Sequence, residues 1–240
     1  MTDLSSTERL IGQLFGDAAR TERHDNLIIG EAPFDGQVLA VLGTVDQTYI
    51  GADAALAMAR AVLDVMRDHP GRAILIIVDN SGHRLGRWDE LVANNGCVAH
   101  LTKCLDLARR RGHRVIGLVN ELAVSAGFMA LGMSTDACYA LPQAEVRVMA
   151  LNAMSRVTKI PLDRLEELCK TSPVLGPGVR NFVRVGALRG VWEDDPAEEL
   201  RRALADNPGE EDMRQMLALE RGGRTQAQAI THMVRAGLEA

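Results

Sequence analysis

The chain has 240 residues, of which 47% are hydrophobic and 25% are charged. That size and composition fit one globular domain with a sizeable core, and they exclude a disordered chain. The formal net charge of −5 argues against a general nucleic-acid surface, because such surfaces are basic.

The N-terminal segment lacks the features of a secretory signal. Residues 1–9 carry Asp3 and Glu8 and contain no apolar run. No apolar stretch of the sequence reaches the roughly 18 residues that a membrane-spanning helix needs. We therefore expect a cytoplasmic protein without a membrane anchor.

The four cysteines lie in helix-like or strand-like runs and lack the spacing of a disulfide framework. Reduced, buried thiols are the expectation. Cys97, His100 and Cys104 share one side of a predicted helix, but a rigid helix does not readily direct three such ligands to one tetrahedral ion. Packing is the favoured interpretation of this group, so no metal site is predicted.

The first half of the chain alternates between strand-like and helix-like patterns. Residues 1–33 are mixed in character and are predicted as an N-terminal extension, with a short helix over 6–15, before a domain over 34–240. The domain then begins with a strand over 37–45, a helix over 52–67, a strand buried on both faces over 73–78, a polar loop over 79–86 and a helix over 87–111.

The second half continues this alternation. The sequence predicts a strand over 114–119, a loop over 120–124, a helix from 125, strands over 137–141 and 146–149, and helices near 162–170, 179–185, 196–205, 210–221 and 225–237. Strands that alternate with helices indicate an α/β fold with mainly parallel pairing. Ligands of such sheets bind where loops leave the carboxyl ends of the strands.

The most informative stretch is Ser125-Ala126-Gly127, where small residues open a buried helix after an apolar strand. The first N–H groups of a helix have no partner inside it, and small side chains let a ligand oxygen approach them. Such amides form an oxyanion hole without side chains. Tight helix packing also favours alanine and glycine, so this alternative stays open.

Neighbouring serines and a glycine extend the candidate site. Ser125 is a candidate nucleophile, but the favoured interpretation is a small polar helix cap, because no histidine base is clearly within reach. Asp79, Ser81 and His83 follow a buried strand and are candidates either for binding a polar substrate or for forming a turn. Gly82 offers a backbone amide that can face the same cavity as the small-residue helix.

Two charged groups give weaker signals. Glu121 precedes the small-residue helix and is a candidate general base, although a solvated loop acid is the commoner explanation. Arg156, with Thr158 and Lys159, is a candidate for holding a carboxylate or a phosphate-bearing carrier. A solvated polar face is the competing interpretation of that group.

Several segments occur in a specific order along the chain: Val78-Asp79-Asn80-Ser81-Gly82, Asp89-Glu90-Leu91, Gly117-Leu118-Val119, Ala123 to Ala130, Ala140-Leu141-Pro142, Val148-Met149, Arg156-Val157-Thr158 and Val179-Arg180-Asn181-Phe182. In this order they resemble the crotonase superfamily in its carboxyltransferase-like branch. Within that branch they look most like the gamma subunits of biotin-independent malonate decarboxylase. The resemblance covers roughly residues 38–192 and, more weakly, residues 220–224.

The resemblance implies a crotonase-like spiral of β-β-α units with peripheral C-terminal helices. It also implies an active site shared with a homologous beta subunit, in which backbone amides form the oxyanion hole. The catalytic positions expected on this basis are Ala126, Gly127 and Gly82, and the expected substrate-binding positions are Ser81, Ser125 and Arg156. The family commonly has a second glycine where this chain has Ala126, whose methyl group narrows the hole.

The implied reaction is the decarboxylation of malonyl-S-acyl carrier protein to acetyl-S-acyl carrier protein by a hetero-oligomeric carboxy-lyase. The implied partners are the beta subunit and the acyl carrier protein, which carries the prosthetic group, so this chain itself binds no cofactor. Two alternatives stay open: a non-catalytic structural partner of the beta subunit, and the carboxyltransferase component of a biotin-dependent enzyme.

A hydrolase is disfavoured by one further comparison within the superfamily. A protease-like relative places a serine at this helix start and its partner histidine after the next strand. Here the matching region reads Arg147-Val148-Met149, without a histidine.

Overall fold

A nine-stranded mixed sheet forms the centre of the computed structural model, which describes residues 4–174, 176–206 and 212–238. Its strands are β1 (Arg20–His24), β2 (Leu27–Phe34), β3 (Gln37–Thr44), β4 (Thr48–Ile50), β5 (Ile74–His83), β6 (Val115–Val124), β7 (Ala137–Ala140), β8 (Glu145–Arg147) and β9 (Gly190–Val191). The main path runs β1-β2-β3-β5-β6-β7-β9, while β4 pairs with β5 and β8 pairs with β6. The pairings from β3 onward are parallel.

Helices cover both faces of this sheet. Within the described ranges they are α1 (Ser6–Phe15), α2 (Ala52–Asp68), α3 (Arg87–Leu91), α4 (Asn94–Arg110), α5 (Ser125–Leu131), α6 (Leu151–Thr158), α7 (Leu162–Thr171), α8 (Val179–Arg184), α9 (Pro196–Ala205), α10 (Arg214–Glu220) and α11 (Ala227–Leu238). The chain repeats strand, second strand and helix, as in β3-β4-α2 and β7-β8-α6. This repetition is the spiral of β-β-α units.

The core lies on both faces of the parallel strands. Alternate residues of the run 74–78 point to opposite faces, and all five side chains are fully buried. One face packs on α2 and α4, and the other packs on α1 and α9. The prediction of a strand buried on both faces is therefore confirmed.

The N-terminal segment is part of the same core. The predicted helix over 6–15 is α1. It begins with a capping box, in which the side chains of Ser5 and Glu8 each accept the backbone N–H of the other residue. Its apolar side chains pack under the sheet, and β1 and β2 extend the sheet from β3 in antiparallel order. The boundary predicted at residue 34 falls at the end of β2, and the division of the chain there stays a prediction.

The two central strands are longer than the sequence predicts. β5 continues through residues 79–83 and β6 continues through 120–124, where loops were expected. Each continuation pairs with a short added strand, β4 or β8. The two strands also pair with each other beyond a shift in register, with Val78 opposite Val119 and Asn80 opposite Ala123. The loop predictions for 79–83 and 120–124 are therefore wrong.

One carboxylate explains how polar residues fit inside these strands. Asp79 is buried, and its two oxygens accept hydrogen bonds from the backbone N–H of Gln47 (3.1 Å) and of Leu122 (3.3 Å). The Asp79 N–H donates to Thr44 Oγ1 at 2.8 Å. These bonds replace ladder hydrogen bonds that the register shift removes.

The long helix predicted over 87–111 is interrupted. It divides into α3 and α4, because Ala93 adopts a left-handed conformation with φ of +53°. The buried Asn94 side chain fixes the break by donating to the carbonyls of Ile50 and Arg84, each at 3.1 Å.

A helix that was not predicted, α6, follows β8. The predicted helix over 210–221 is seen as α10, and residues 210 and 211 lie outside the described ranges.

Two of the four thiols lie in the core. Cys104 and Cys138 are buried, and burial raises the pKa of both thiols. Cys104 Sγ lies 3.6 Å from His100 Nε2, and the described residues contain no group of three or more His, Cys, Asp or Glu arranged to hold a metal ion. No helix in the described part of the chain is long and apolar enough to cross a membrane.

Replacing Asp79 by alanine tests its role in the sheet. We expect Asp79→Ala to lower the free energy of unfolding by about 2–4 kcal/mol, because two buried N–H groups lose their acceptor. Burial raises the pKa of Asp79 above its ordinary value of 3.8. Ionisation therefore opposes folding, and the stability lost in the variant is largest in acid and shrinks as the pH rises through the raised pKa.

Urea unfolding of both proteins at pH values from about 4 to 8 measures this effect. Asp17→Ala, at an exposed site, is the control and should change stability by less than about 0.5 kcal/mol. A stability difference for Asp79→Ala that grows with pH contradicts the prediction.

Candidate active site

The end of β5 and the first turn of α5 meet at the carboxyl edge of the sheet. A Cβ atom placed on Gly127 would lie 3.0 Å from Gly82 Cα and 2.1 Å from Asn80 Oδ1. Real Cβ contacts are not this short, so a glycine is required at 127 for the two segments to approach. The structure therefore places Gly82 beside Gly127, and the role of either residue in a site stays a prediction.

Helix α5 begins without a side-chain cap. It follows β6 directly, and no side chain accepts a hydrogen bond from its first turn. Among the described residues, no side chain and no residue outside the helices and strands accepts a hydrogen bond from the N–H of Ala126 or Gly127. Ala126 is half-buried and Gly127 is buried, so these donors sit at a partly desolvated surface. Two neighbouring N–H groups of this kind bind an oxyanion.

Ser125 makes the sharp turn between β6 and α5. Its backbone adopts a left-handed conformation with φ of +48°, which is uncommon for a residue other than glycine. The N-cap position belongs to Val124, and the Ser125 hydroxyl does not cap the helix. The interpretation of Ser125 as a cap is therefore wrong. Its half-buried hydroxyl stands beside the uncapped amides instead.

Gly82 lies close to Gly127, but its backbone N–H is not available as predicted. Its backbone has φ of +96°, and its N–H donates to Asn80 Oδ1 at 3.0 Å. The donor expected to contribute to an oxyanion hole is thus already paired. Gly82 brings the backbone of β5 close to Gly127, and the candidate donors that remain are those of Ala126 and Gly127, which no side chain caps.

The serine after Asn80 contacts the neighbouring turn. The Ser81 hydroxyl donates to the Gln47 carbonyl at 2.7 Å, so it holds the β3–β4 turn beside β5. The Asp79 carboxylate binds the same turn through the Gln47 N–H. Asp79, Ser81 and His83 all lie on β5, so the interpretation of these residues as a turn is wrong. The Asp79 carboxylate is used within the sheet, and a role for the half-buried Ser81 in binding a substrate stays a prediction.

The strand beside the serine carries no histidine. In the parallel pairing of β6 with β8, Val124 lies opposite Arg147, whose guanidinium contacts the Glu145 carboxylate. No hydrogen bond links the Ser125 hydroxyl to a histidine among the described residues. A hydrolytic triad is therefore not assembled in this part of the chain.

The remaining charged candidates lie farther out. Arg156 is exposed on α6, a helix without a buried residue, and it forms no ion pair with another described residue. Glu121 is half-buried on β6. Their roles stay predictions.

Sequence reasoning missed Asn80 as a site residue. Its side chain is fully buried, its Oδ1 lies between the Gly82 N–H and Gly127, and its Nδ2 has no hydrogen-bond partner among the described residues. The available signal was an Asp-Asn pair directly after five apolar residues, a place where a strand that continues must bury both polar side chains.

A second missed feature is an exposed apolar surface on α3. Leu85, Trp88, Leu91 and Val92 are between 55% and 78% exposed, and they form what we call the α3 patch. The segment is held firmly, because Asp89 accepts hydrogen bonds from the Arg84 guanidinium and from the Gly86 N–H. A rigid exposed group that includes a tryptophan is typical of a protein interface.

Comparisons with known proteins agree with this architecture. The model of the malonate decarboxylase gamma subunit family matches residues 45–238. A malonyl-S-ACP:biotin-protein carboxyltransferase from Malonomonas rubra is 31% identical over 154 residues, which are 60% of this chain. The chain spans about half, 53%, of the length of that relative.

Solved structures of malonate decarboxylase subunits are also similar to this chain. The chain is similar to a subunit of a Pseudomonas malonate decarboxylase hetero-tetramer in complex with coenzyme A, with a TM-score of 0.82, 25% identity, and coverage of 98% of this chain and 100% of that one. It is similar to a subunit of the Pseudomonas MdcD-MdcE hetero-dimer, with a TM-score of 0.76, 25% identity and the same coverage.

A more distant structure extends the fold to other carboxyltransferases. Transcarboxylase 12S is 17% identical with a TM-score of 0.69, and the match covers 85% of this chain and 43% of that one. The predicted crotonase-like fold is confirmed by these neighbours. With a family model that matches most of its length, the chain belongs to the malonate decarboxylase gamma subunit family.

Proposed function

We propose that this chain acts with a homologous beta subunit to decarboxylate malonyl-S-acyl carrier protein to acetyl-S-acyl carrier protein. The observation that carries the proposal is the uncapped start of α5, where the N–H groups of Ala126 and Gly127 lie beside the end of β5. Family membership, a hetero-dimeric solved relative and a relative that acts on a malonyl-S-ACP support it.

The chemistry of the reaction matches backbone donors. When the carboxylate of a malonyl thioester leaves as CO₂, its bonding electrons pass to the thioester as an enolate, with negative charge on the oxygen. A proton then adds to carbon and gives the acetyl thioester. Two fixed N–H donors stabilise the enolate by several kcal/mol without a nucleophile. The Ala126 methyl group narrows the space for this oxygen.

Other residues have supporting roles in the proposal. Ser125 and Ser81, both half-buried at this edge, offer hydroxyl groups to the substrate. The exposed Arg156 offers a positive charge for a carboxylate or for the phosphate-bearing arm of the carrier protein. This chain supplies no cofactor in the scheme, because the prosthetic group is carried by the acyl carrier protein. A cytoplasmic location is part of the same proposal.

The α3 patch is the surface that we assign to the beta subunit. Helix α3 begins five residues after Gly82, at the edge of the sheet where the uncapped amides lie. Interfaces of stable complexes cover roughly 800 Å² on each partner. Four large apolar side chains, each more than half exposed, supply a substantial part of that area. A partner seated here also covers the substrate cleft.

One comparison favours a second candidate function. The relative from Malonomonas rubra transfers a carboxyl group to a biotin protein, as its name states. Both reactions pass through the same enolate, so the same amides serve either one. The carboxyl group is released as CO₂ in the first and handed to biotin in the second.

A reconstituted complex tests the proposed function. The purified chain, its beta subunit and malonyl-loaded carrier protein should release CO₂ and acetyl carrier protein without a biotin carrier. Gly127→Ala should lower kcat by about 10²- to 10³-fold with a small effect on KM, because the new Cβ displaces an oxyanion donor. The matched control is Gly12→Ala on α1, where the added Cβ meets nothing within 4 Å.

Each outcome has a separate meaning. If Gly127→Ala forms the complex and keeps wild-type turnover, its amide does not belong to the site. If the beta subunit alone matches the complex, the chain is a structural partner. If turnover requires a biotin carrier, the second candidate replaces the first.

Replacing the tryptophan of the α3 patch tests the docking surface. Trp88→Glu places a charge at the centre of the patch and should weaken hetero-oligomer formation by at least about 30-fold, as expected for an interface tryptophan. Sedimentation or light scattering of the mixed subunits measures this. Leu56→Glu, at one of the two exposed leucines of α2, is the control, and equal effects of the two substitutions contradict the assignment.

A further inference from the structure

We propose that Asn80 is a positioning residue that sets the geometry of the Ala126 and Gly127 amides, an inference that rests on the proposed function. The residue lies on β5 where the pairing with β6 changes register. Its side chain is fully buried between the end of β5 and the start of α5. It therefore occupies the contact between the two segments that form the site.

The side-chain oxygen of Asn80 lies where the end of β5 approaches the start of α5. It accepts the Gly82 N–H at 3.0 Å, and a Cβ on Gly127 would come within 2.1 Å of it. Gly82 has φ of +96°, and a Cβ placed on it would lie 3.2 Å from the Val124 carbonyl oxygen, so the turn requires a glycine whose N–H is held by Asn80. Because the Gly82 N–H is bonded to Asn80, the donors that we assign to the oxyanion are those of Ala126 and Gly127.

The nitrogen of the same carboxamide is unpaired. Asn80 Nδ2 is buried and has no hydrogen-bond partner among the described residues. An unpaired buried N–H destabilises a fold, whereas a leucine of the same shape does not carry that cost. Packing alone therefore favours leucine at this position. The reason for an asparagine at this position is therefore its side-chain oxygen, which accepts the Gly82 N–H.

Two substitutions separate positioning from stability. Asn80→Leu removes the acceptor and, at the same time, the unpaired nitrogen, so the two changes offset and the thermal midpoint should move by less than about 4 °C. In the reconstituted complex kcat should fall about 10- to 100-fold with KM nearly unchanged, because a donor pair displaced by a fraction of an ångström stabilises the enolate poorly. Asn80→Asp keeps an oxygen toward the Gly82 N–H and should recover part of the lost kcat.

The matched control is Asn120→Leu on β6. Asn120 is also a buried asparagine, but its side chain points to the other face of the sheet and donates to Ser6 Oγ at 3.1 Å. Its replacement should leave kcat within about twofold of wild type. Equal losses in the two leucine variants would assign the effect of Asn80 to general damage.

Hydrogen exchange in the same complexes gives a readout that does not depend on turnover. Asn80→Leu should speed exchange of the Gly82 amide, measured on peptides that cover residues 80–83, and Asn120→Leu should not. The inference is overturned if exchange at 80–83 is unchanged, or if an active wild-type complex and its Asn80→Leu variant share the same kcat. An inactive wild-type complex, with faster exchange in the variant, instead overturns the proposed function and keeps the positioning role.

Discussion

The buried carboxylate of Asp79 is the interaction on which the site depends. It binds the backbone N–H of Gln47 on one side and of Leu122 on the other, across a point where β5 and β6 change register. Without an acceptor there, both strands would have to end at the register shift and leave the sheet as loops. Because they continue, the backbone of β5 reaches the start of α5, and Gly82 meets Gly127.

Part of this architecture was predictable from local pattern. The apolar run 74–78 and helices α1 and α2 follow from periodicity and caps within a few neighbouring residues. The continuation of β5 does not, because its polar residues are satisfied by groups far away in sequence: Thr44, Gln47 and Leu122 lie 35, 32 and 43 residues from Asp79. In the sequence alone, a run of polar residues resembles a loop, because the distant groups that form hydrogen bonds with them are not known. The break before Asn94 has the same origin, since its partner Ile50 is 44 residues away.

The candidate site was predictable to the extent that small residues reveal a close approach. Ala126 and Gly127 were predicted because a ligand can approach the N–H groups of a helix start only where the side chains there are small. The occupied Gly82 donor and the buried Asn80 were not, because an asparagine two residues before a glycine has the same appearance in a turn and in a strand. Backbone amides have no side-chain signature, so which of them are free is decided by tertiary contacts.

The uncapped amides and the exposed α3 patch belong to one physical requirement. An N–H donor that faces water gives little extra stabilisation to an enolate, since water solvates the same charge. The same donor acts strongly where water is excluded. In this chain the four exposed apolar side chains of the α3 patch follow the end of β5, which contacts the start of α5. A partner that binds this surface would exclude water from the cleft and so strengthen the interaction of these N–H groups with the enolate oxygen. Partner binding and catalysis by these amides would then be coupled through the lower local dielectric constant.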